Sequence, residues 1–271
     1  MKADAAALVP MPTRDDILME LGLAPVWRRR SRMGVADAAL ATADPPVLES
    51  THVDSERAVS EPAPEFRDAR SVRIAKLDWR EFAADVDACT ACGLSRGRNR
   101  SVPGVGDIHA EWLFVGEAPG AEEDAKGEPF VGQAGRLLDN MLAALGFARG
   151  AHVYIANVLK CRPPGNRTPE PREAEACRPY LDRQIALIRP KIIVALGKSA
   201  ATTMLDVDAT IASLRGRVHR YQGVPLVVTY HPAYLLRNLP DKAKAWEDLL
   251  LARRTLQTTG ATAQGDRPDS V

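Results

Sequence analysis

Trp112-Leu-Phe-Val-Gly-Glu-Ala-Pro-Gly120 is an apolar run that closes in a glycine turn bearing a single carboxylate. A short unbroken apolar stretch bounded by glycine and proline reads as a strand buried on both faces. Glu111–Gly116 is therefore taken as a strand, and its neighbours decide the architecture. Downstream, Gln133–Leu145 places Leu137, Leu138, Met141, Leu142 and Leu145 on one helical face, with Gly146 closing it. Val153–Leu159 is a second strand. Pro169–Ile188 opens on proline, ends before Pro190 and reads as a helix. Lys191–Gly197 (K-I-I-V-A-L-G) is a third buried strand, followed by a helix over Lys198–Leu205. Val218–Tyr221 and Pro225–Thr229 form two short strands around Gly223, and Ala243–Arg254 is a closing helix. Strands alternating with helices predict an α/β fold with a central, mainly parallel sheet and helices on both faces. Ligands of such sheets bind at the carboxyl ends of the strands. The loops to read for chemistry are then 116–132, 160–168 and 230–237.

The flanks differ in composition from this core. Residues 33–72 are rich in Ala, Asp, Glu, Ser and Pro without a sustained period, which predicts a disordered linker within an extension over 1–74. A short helix over 14–30, ended by Gly22 and Pro25, is a candidate docking segment inside it. The ordered domain is expected over 75–255, with 256–271 as a frayed tail. The 271 residues carry a net charge of +1, so a nucleic-acid partner would need a local basic patch rather than a global field. No apolar run is long enough to span a membrane, and the first residues lack a secretory h-region. A cytoplasmic, monomeric protein is expected.

Four cysteines are present: Cys89 and Cys92 as a C-x-x-C pair, then Cys161 and Cys177. In a reducing compartment this set points to metal ligation rather than disulfides. Spacing alone leaves zinc and an iron–sulfur cluster equally open. Glu117 stands at a strand end, where a carboxylate can position water or balance a developing cation. The same pattern fits an ordinary turn with an exposed acid. Phe130 lies in a loop between small residues and can stack on a planar base or plug the core. Asn157 sits inside an apolar strand, where its amide must be hydrogen-bonded; its donor and acceptor suit a pyrimidine edge. His231 opens His-Pro-Ala-Tyr-Leu-Leu-Arg237 and can donate to an oxygen that becomes negative, or simply start a helix. Leu235 and Leu236 are candidates for an apolar wedge that fills the gap left by an extruded base. Lys160-Cys-Arg-Pro-Pro-Gly-Asn-Arg-Thr168 is rigid and basic, and its cations, Arg162 and Arg167 among them, suit phosphates.

Taken in order, these stretches resemble the family 4 uracil-DNA glycosylases, bacterial and archaeal repair enzymes that carry a 4Fe–4S cluster. The elements are Cys89-x-x-Cys92, Val102-Pro-Gly-Val-Gly106, Gly116-Glu-Ala-Pro-Gly120, Pro129-Phe-Val-Gly-Gln-Ala-Gly135, Asn157 through Pro169, Cys177, Leu196-Gly197 and His231 through Arg237. The resemblance implies a three-layer α/β/α sandwich, a 4Fe–4S cluster on the four cysteines, and release of uracil from DNA. It places Glu117 as the catalytic carboxylate, Phe130 under the base, Asn157 at its polar edge and His231 beside the leaving anion. Asn166 falls near the pocket or the DNA backbone, and Glu123 where the family excludes thymine's methyl group. Ala118 stands where covalently binding relatives carry Gln, which argues against that branch. Arg162, Arg167, Leu235 and Arg237 are the DNA-contact candidates. Leu21-Gly-Leu-Ala-Pro-Val-Trp27 faintly resembles a peptide of the bacterial clamp loader's psi subunit, which implies a replication partner. The rival reading is a non-catalytic iron–sulfur DNA-binding or replisome-associated protein; such a protein would not need Glu117, Asn157 and His231 together.

Overall fold

The computed structural model describes residues 69–262, so the expectations for 1–68 and for 263–271 lie outside the described residues. Six strands form one sheet: β1 (Val105–Gly106), β2 (Trp112–Gly116), β3 (Val153–Asn157), β4 (Ile192–Leu196), β5 (Val218–Tyr221) and β6 (Val224–Thr229). Their order is β1-β3-β2-β4-β6-β5. The inner pairs β3·β2, β2·β4 and β4·β6 are parallel, and β1 and β5 join antiparallel at the edges. The helices are α1 (Ala69–Ile74), α2 (Trp79–Ala88), α3 (Ala121–Lys126), α4 (Gln133–Ala144), α5 (Pro171–Ile188), α6 (Lys198–Leu205), α7 (Ile211–Leu214), α8 (Pro232–Leu235) and α9 (Asp241–Thr262).

Every residue of β2, β3 and β4 is buried, because both faces of the sheet are covered. Alternate side chains go to opposite layers. Leu113, Val115, Ile193 and Ala195 pack with Leu181 and Ile185 of α5 and Ala200 and Met204 of α6. Trp112, Phe114, Ile192 and Val194 pack with Leu138 and Leu142 of α4 and Leu249 and Ala252 of α9. This is the α/β/α sandwich that the alternating pattern predicts. β5 and β6 are joined through Gln222 and Gly223, both at positive φ (48° and 82°), as a tight antiparallel hairpin requires. Among the described residues no helix is long and apolar enough to cross a membrane.

Order begins and ends beyond the predicted limits. α1 lies within the extension predicted over 1–74 and overlaps the end of the linker; Ile74 is fully buried and joins Leu77, Phe82, Val86 and Tyr180 in a satellite core against α5. So short a helix leaves no periodic signal and owes its order to this packing. α2 stands outside the predicted elements, although its sequence carries a helix start. Asp78 accepts from the amides of Arg80 (2.8 Å) and Glu81 (3.0 Å), while Glu81 accepts from the amide of Asp78 (3.2 Å), a complete capping box. At the other end, α9 continues to Thr262 rather than fraying at 256, since Leu256 extends the apolar spacing of Leu249 and Ala252 and packs on the same core. Leu142 is fully buried between α4 and the sheet. Leu142→Ala is expected to lower unfolding free energy by about 2–5 kcal/mol, read from urea midpoints at unchanged m value.

Candidate active site

The carboxyl ends of β2, β3, β4 and β6 deliver Gly116–Glu117, Asn157, Gly197 and His231 to one rim of the sheet. Gly116 is paired in register with Asn157. Its missing side chain is essential: a Cβ there would lie 2.6 Å from Cζ of Phe130 and closer still to Oδ1 of Asn157. The amide and the ring thus converge over a bare Cα. Asn157 is 2 % exposed, and its Oδ1 has no hydrogen-bond partner within the protein. A buried acceptor left unpaired costs about 1–3 kcal/mol, which a donor supplied by a ligand would recover.

Phe130 is held in a left-handed backbone conformation (φ 56°), uncommon for a non-glycine residue. Three devices hold it there. Arg149 donates to the carbonyls of Pro129 (2.9 Å) and Phe130 (2.8 Å). Gly135 of α4 has the Phe130 carbonyl where a Cβ would stand. Glu123 of α3 accepts from the amides of Gly120 (3.1 Å), Val131 (3.0 Å) and Gly132 (3.3 Å). Glu123 thus spends its carboxylate on the loop that carries Phe130.

His231 stacks beside Phe130, with ring centroids 5.5 Å apart and planes 30° apart. It caps α8: its Nδ1 accepts from the Ala233 amide at 3.1 Å. The neutral ring therefore carries its proton on Nε2. Burial, reinforced by the positive charge of Arg237, pushes the imidazole down to about 4, so the ring is neutral at physiological pH. Glu117 lines a cleft with Gly197, Ser199 and His231. Burial pushes its carboxyl above the ordinary range, and the Ser199 hydroxyl pulls partly the other way. Nothing in the sequence pointed to Ser199 or Arg149; the first follows a strand end, the second lies in an unremarkable loop.

The remaining candidates are placed differently. Leu235 is 1 % exposed and packs with Tyr230 and Ala245, so it is core rather than wedge. The short helix α8 turns Leu236 outward instead (39 % exposed), and Leu239 beyond it is 60 % exposed. Lys160 is buried and cannot join a phosphate grip. Arg162 donates through Nε to Oδ1 of Asn166 (2.8 Å), which sits at the exposed tip of the turn Pro164–Asn166. Arg167 pairs with Glu173 (2.6 Å) and Glu170 (3.3 Å). Arg237 is exposed, and Ala118 packs against the core on the α5–α6 side. Tyr234 stacks on Tyr230 and donates to Asp241 at 2.7 Å.

Cys89, at the end of α2, and Cys92 line one small cavity with Cys161 and with Cys177 of α5. Their sulfurs face donors: Arg70 to Cys89 (3.4 Å), Arg98 to Cys161 (3.0 Å) and the Lys160 amide to Cys177 (3.3 Å). Burial pushes Cys161 up and Cys177 up to about 12. At Cys89 burial acts the same way, but the Ala91 amide and Arg70 outweigh it and hold the thiol below its ordinary value. Among the described residues, no three Cys, His, Asp or Glu side chains are close enough to share one metal ion. A single zinc draws its thiolates to about 2.3 Å from one centre, whereas a cluster binds each thiolate on its own iron. Four thiols around one cavity are a donor set that either group can use.

With this geometry, residues 103–250 match the uracil DNA glycosylase superfamily. The chain belongs to the uracil-DNA glycosylase superfamily. It is 47% identical over 164 residues to the type-4 uracil-DNA glycosylase of Archaeoglobus fulgidus, covering 58% of this chain and 82% of that one. It is 43% identical over 179 residues to the type-4 enzyme of Thermotoga maritima, covering 65% and 93%. A type-5 uracil-DNA glycosylase of Pyrobaculum aerophilum is 34% identical over 152 residues, covering 50% and 67%. The resemblance to the type-4 class read from the motifs is borne out.

In this glycosylase fold the depressed His231 has a consequence for stability. Its folded value lies below the ordinary 6.5, so folding favours the neutral ring. The stability this confers is present above pH 6.5 and is lost as pH falls towards about 4. Over that window the wild-type melting temperature should drop, and that of His231→Gln should drop less.

Proposed function

We propose that this protein hydrolyses the N-glycosidic bond of uracil in DNA, leaving an abasic site and free uracil. The observation that carries this reading is the convergence over Gly116 of a buried amide with an unpaired oxygen and an aromatic ring. A base inside a duplex cannot reach it, so the uridine must be extruded, at a cost of a few kcal/mol. Phe130 stacks on the flipped base. Oδ1 of Asn157 accepts from uracil N3–H, and the amide N–H donates to O4. Cytosine offers an acceptor at N3 and a donor at its exocyclic nitrogen, the reverse pattern, and is rejected.

As the C1′–N1 bond stretches, its electron pair passes to N1 and spreads onto O2 of the base. His231, neutral and protonated on Nε2, donates there without adding a charge that would have to be removed. Glu117 orients a water towards C1′, balances the positive sugar and takes the water's proton. Its raised carboxyl value suits it to a base role near neutrality. A binder without catalysis would have no use for this set, and the enzyme reading is preferred.

Cys89, Cys92, Cys161 and Cys177 would hold a 4Fe–4S cluster. When bound, such a cluster supplies four iron–thiolate bonds that join the end of α2, the loop after β3 and α5. Free cysteines accord with a reducing, cytosolic setting. Exposed Leu236 and Arg237 are proposed as DNA contacts, and Leu18–Arg30 as a docking peptide for a clamp-loader partner.

A uracil-bearing oligonucleotide cleaved by alkali after treatment tests the reading. Glu117→Ala, Asn157→Ala and His231→Ala are each expected to slow uracil release by about 10²–10³-fold while remaining folded; release at the wild-type rate by any of them removes that residue from the site. The rate should rise with pH through a single midpoint above 4.5, with no inflection near 6.5, and Ser199→Ala should move that midpoint upward. Anaerobically purified protein should be brown and contain about four irons per chain, and Cys177→Ser should lose them. A colourless protein containing zinc would exclude the cluster.

A further inference from the structure

Lys160 is 1 % exposed, follows Asn157 by three residues and lines the cysteine cavity. Its ammonium donates to the main-chain carbonyl of Asn157 at 2.7 Å and to Oε1 of Gln184 at 2.5 Å. Gln184, fully buried, is itself fixed by donating to the Pro103 carbonyl (2.7 Å) and to the Tyr154 hydroxyl (3.3 Å). Through its main chain, Lys160 donates to Sγ of Cys177 (3.3 Å) and accepts from Val102 (2.8 Å). The residues just before it are anchored too: Val158 donates to the Gly116 carbonyl (2.9 Å) and Leu159 to the Glu117 carbonyl (3.0 Å). The segment Asn157–Cys161 thus touches the reader of the base, the backbone of the catalytic carboxylate and two of the four cysteines.

Neither acceptor of the Lys160 ammonium is a carboxylate. Burying a lysine in this way is unfavourable, and an apolar side chain of the same length would fill the space without that cost. Its use is in what it holds. The Asn157 carbonyl is the last of β3; the N–H edge of its peptide is held by Gly116 of β2, and Lys160 holds the opposite, carbonyl edge. The orientation of that peptide plane sets the direction in which the Asn157 side chain leaves the strand.

We propose that Lys160 is a positioning residue for uracil recognition: it holds the end of β3 from inside the core, sets the depth and rotation at which the Asn157 amide meets the flipped base, and links that amide to the cysteine centre. This rests on the uracil-releasing reading above. A displacement of the reading amide by about 1 Å is worth about 10²-fold in rate.

The test compares the full chain with Lys160→Met. Readouts are kcat and KM on a uracil oligonucleotide, inhibition by free uracil, binding to uracil-free duplex, iron per chain and visible absorbance. Expected is a variant with wild-type iron, absorbance and duplex binding, a kcat about 10- to 100-fold lower, and weakened inhibition by free uracil. Gln184→Met removes the other acceptor and leaves the Asn157 contact, so its kcat should stay within about threefold of wild type. If Lys160→Met does not accumulate folded, Lys160→Gln, which keeps a shorter donor, takes its place. Wild-type kcat and uracil inhibition in the Lys160 variant overturn the proposal. So does a loss of activity that only follows lost iron, or an equal loss of kcat in both variants, since each makes Lys160 a packing element. A wild-type chain that releases no uracil sinks the functional reading itself, whatever the variants do.

Discussion

Everything at the rim of the sheet depends on the close approach across β2 and β3, where Gly116 faces Asn157 without a side chain. Parallel pairing puts the two strand ends level, and the absent Cβ leaves room for an amide and a phenyl ring to share one spot. Any other residue at 116 would force the Phe130 loop or the Asn157 side chain to move. The three supports of the Phe130 loop, namely Arg149, Gly135 and Glu123, serve to keep that convergence. They hold a backbone conformation that the phenylalanine would not choose for itself.

The site is therefore tuned by burial rather than by added charge. An amide oxygen is left unpaired, an imidazole is kept neutral and a carboxylate is pushed upward. The unpaired oxygen and the buried carboxylate are unfavourable in the resting protein, whereas the neutral ring is the form that burial favours. The buried sheet supplies the stability that offsets them, with β2, β3 and β4 covered on both faces. The His231 cap adds economy: one hydrogen bond starts α8 and also decides which ring nitrogen bears the proton.

The cysteine centre stands on the opposite side of the same short segment. Asn157 ends β3, and four residues later Cys161 enters the cavity shared with α2 and α5. Order at one end is thus mechanically available at the other, through main-chain bonds from Val158, Leu159 and Lys160. This places Cys161 and the partner of Cys177 on the segment that begins at Asn157.

The alternation of strands and helices and the four thiols were legible in the sequence, because apolar period and residue type are local properties; Glu117, Phe130, Asn157 and His231 each kept a bland reading there, and only the packed sheet brings them to one rim. The sequence also holds the capping box of α2, Asp78 with Glu81. What it could not decide was which member of an adjacent pair turns outward: Leu235 and Leu236 are identical in type, and only the rotation of α8 against Tyr230 and Ala245 buries the first. Nor could it separate a surface cation from a core one in the 160–168 loop, since Lys160 is drawn inward by Asn157 and Gln184 from different elements. Side-chain partners across long sequence separations exist only once the layers are packed, and those partners, rather than residue type, assign Glu123, Ser199, Arg149 and Lys160 their roles.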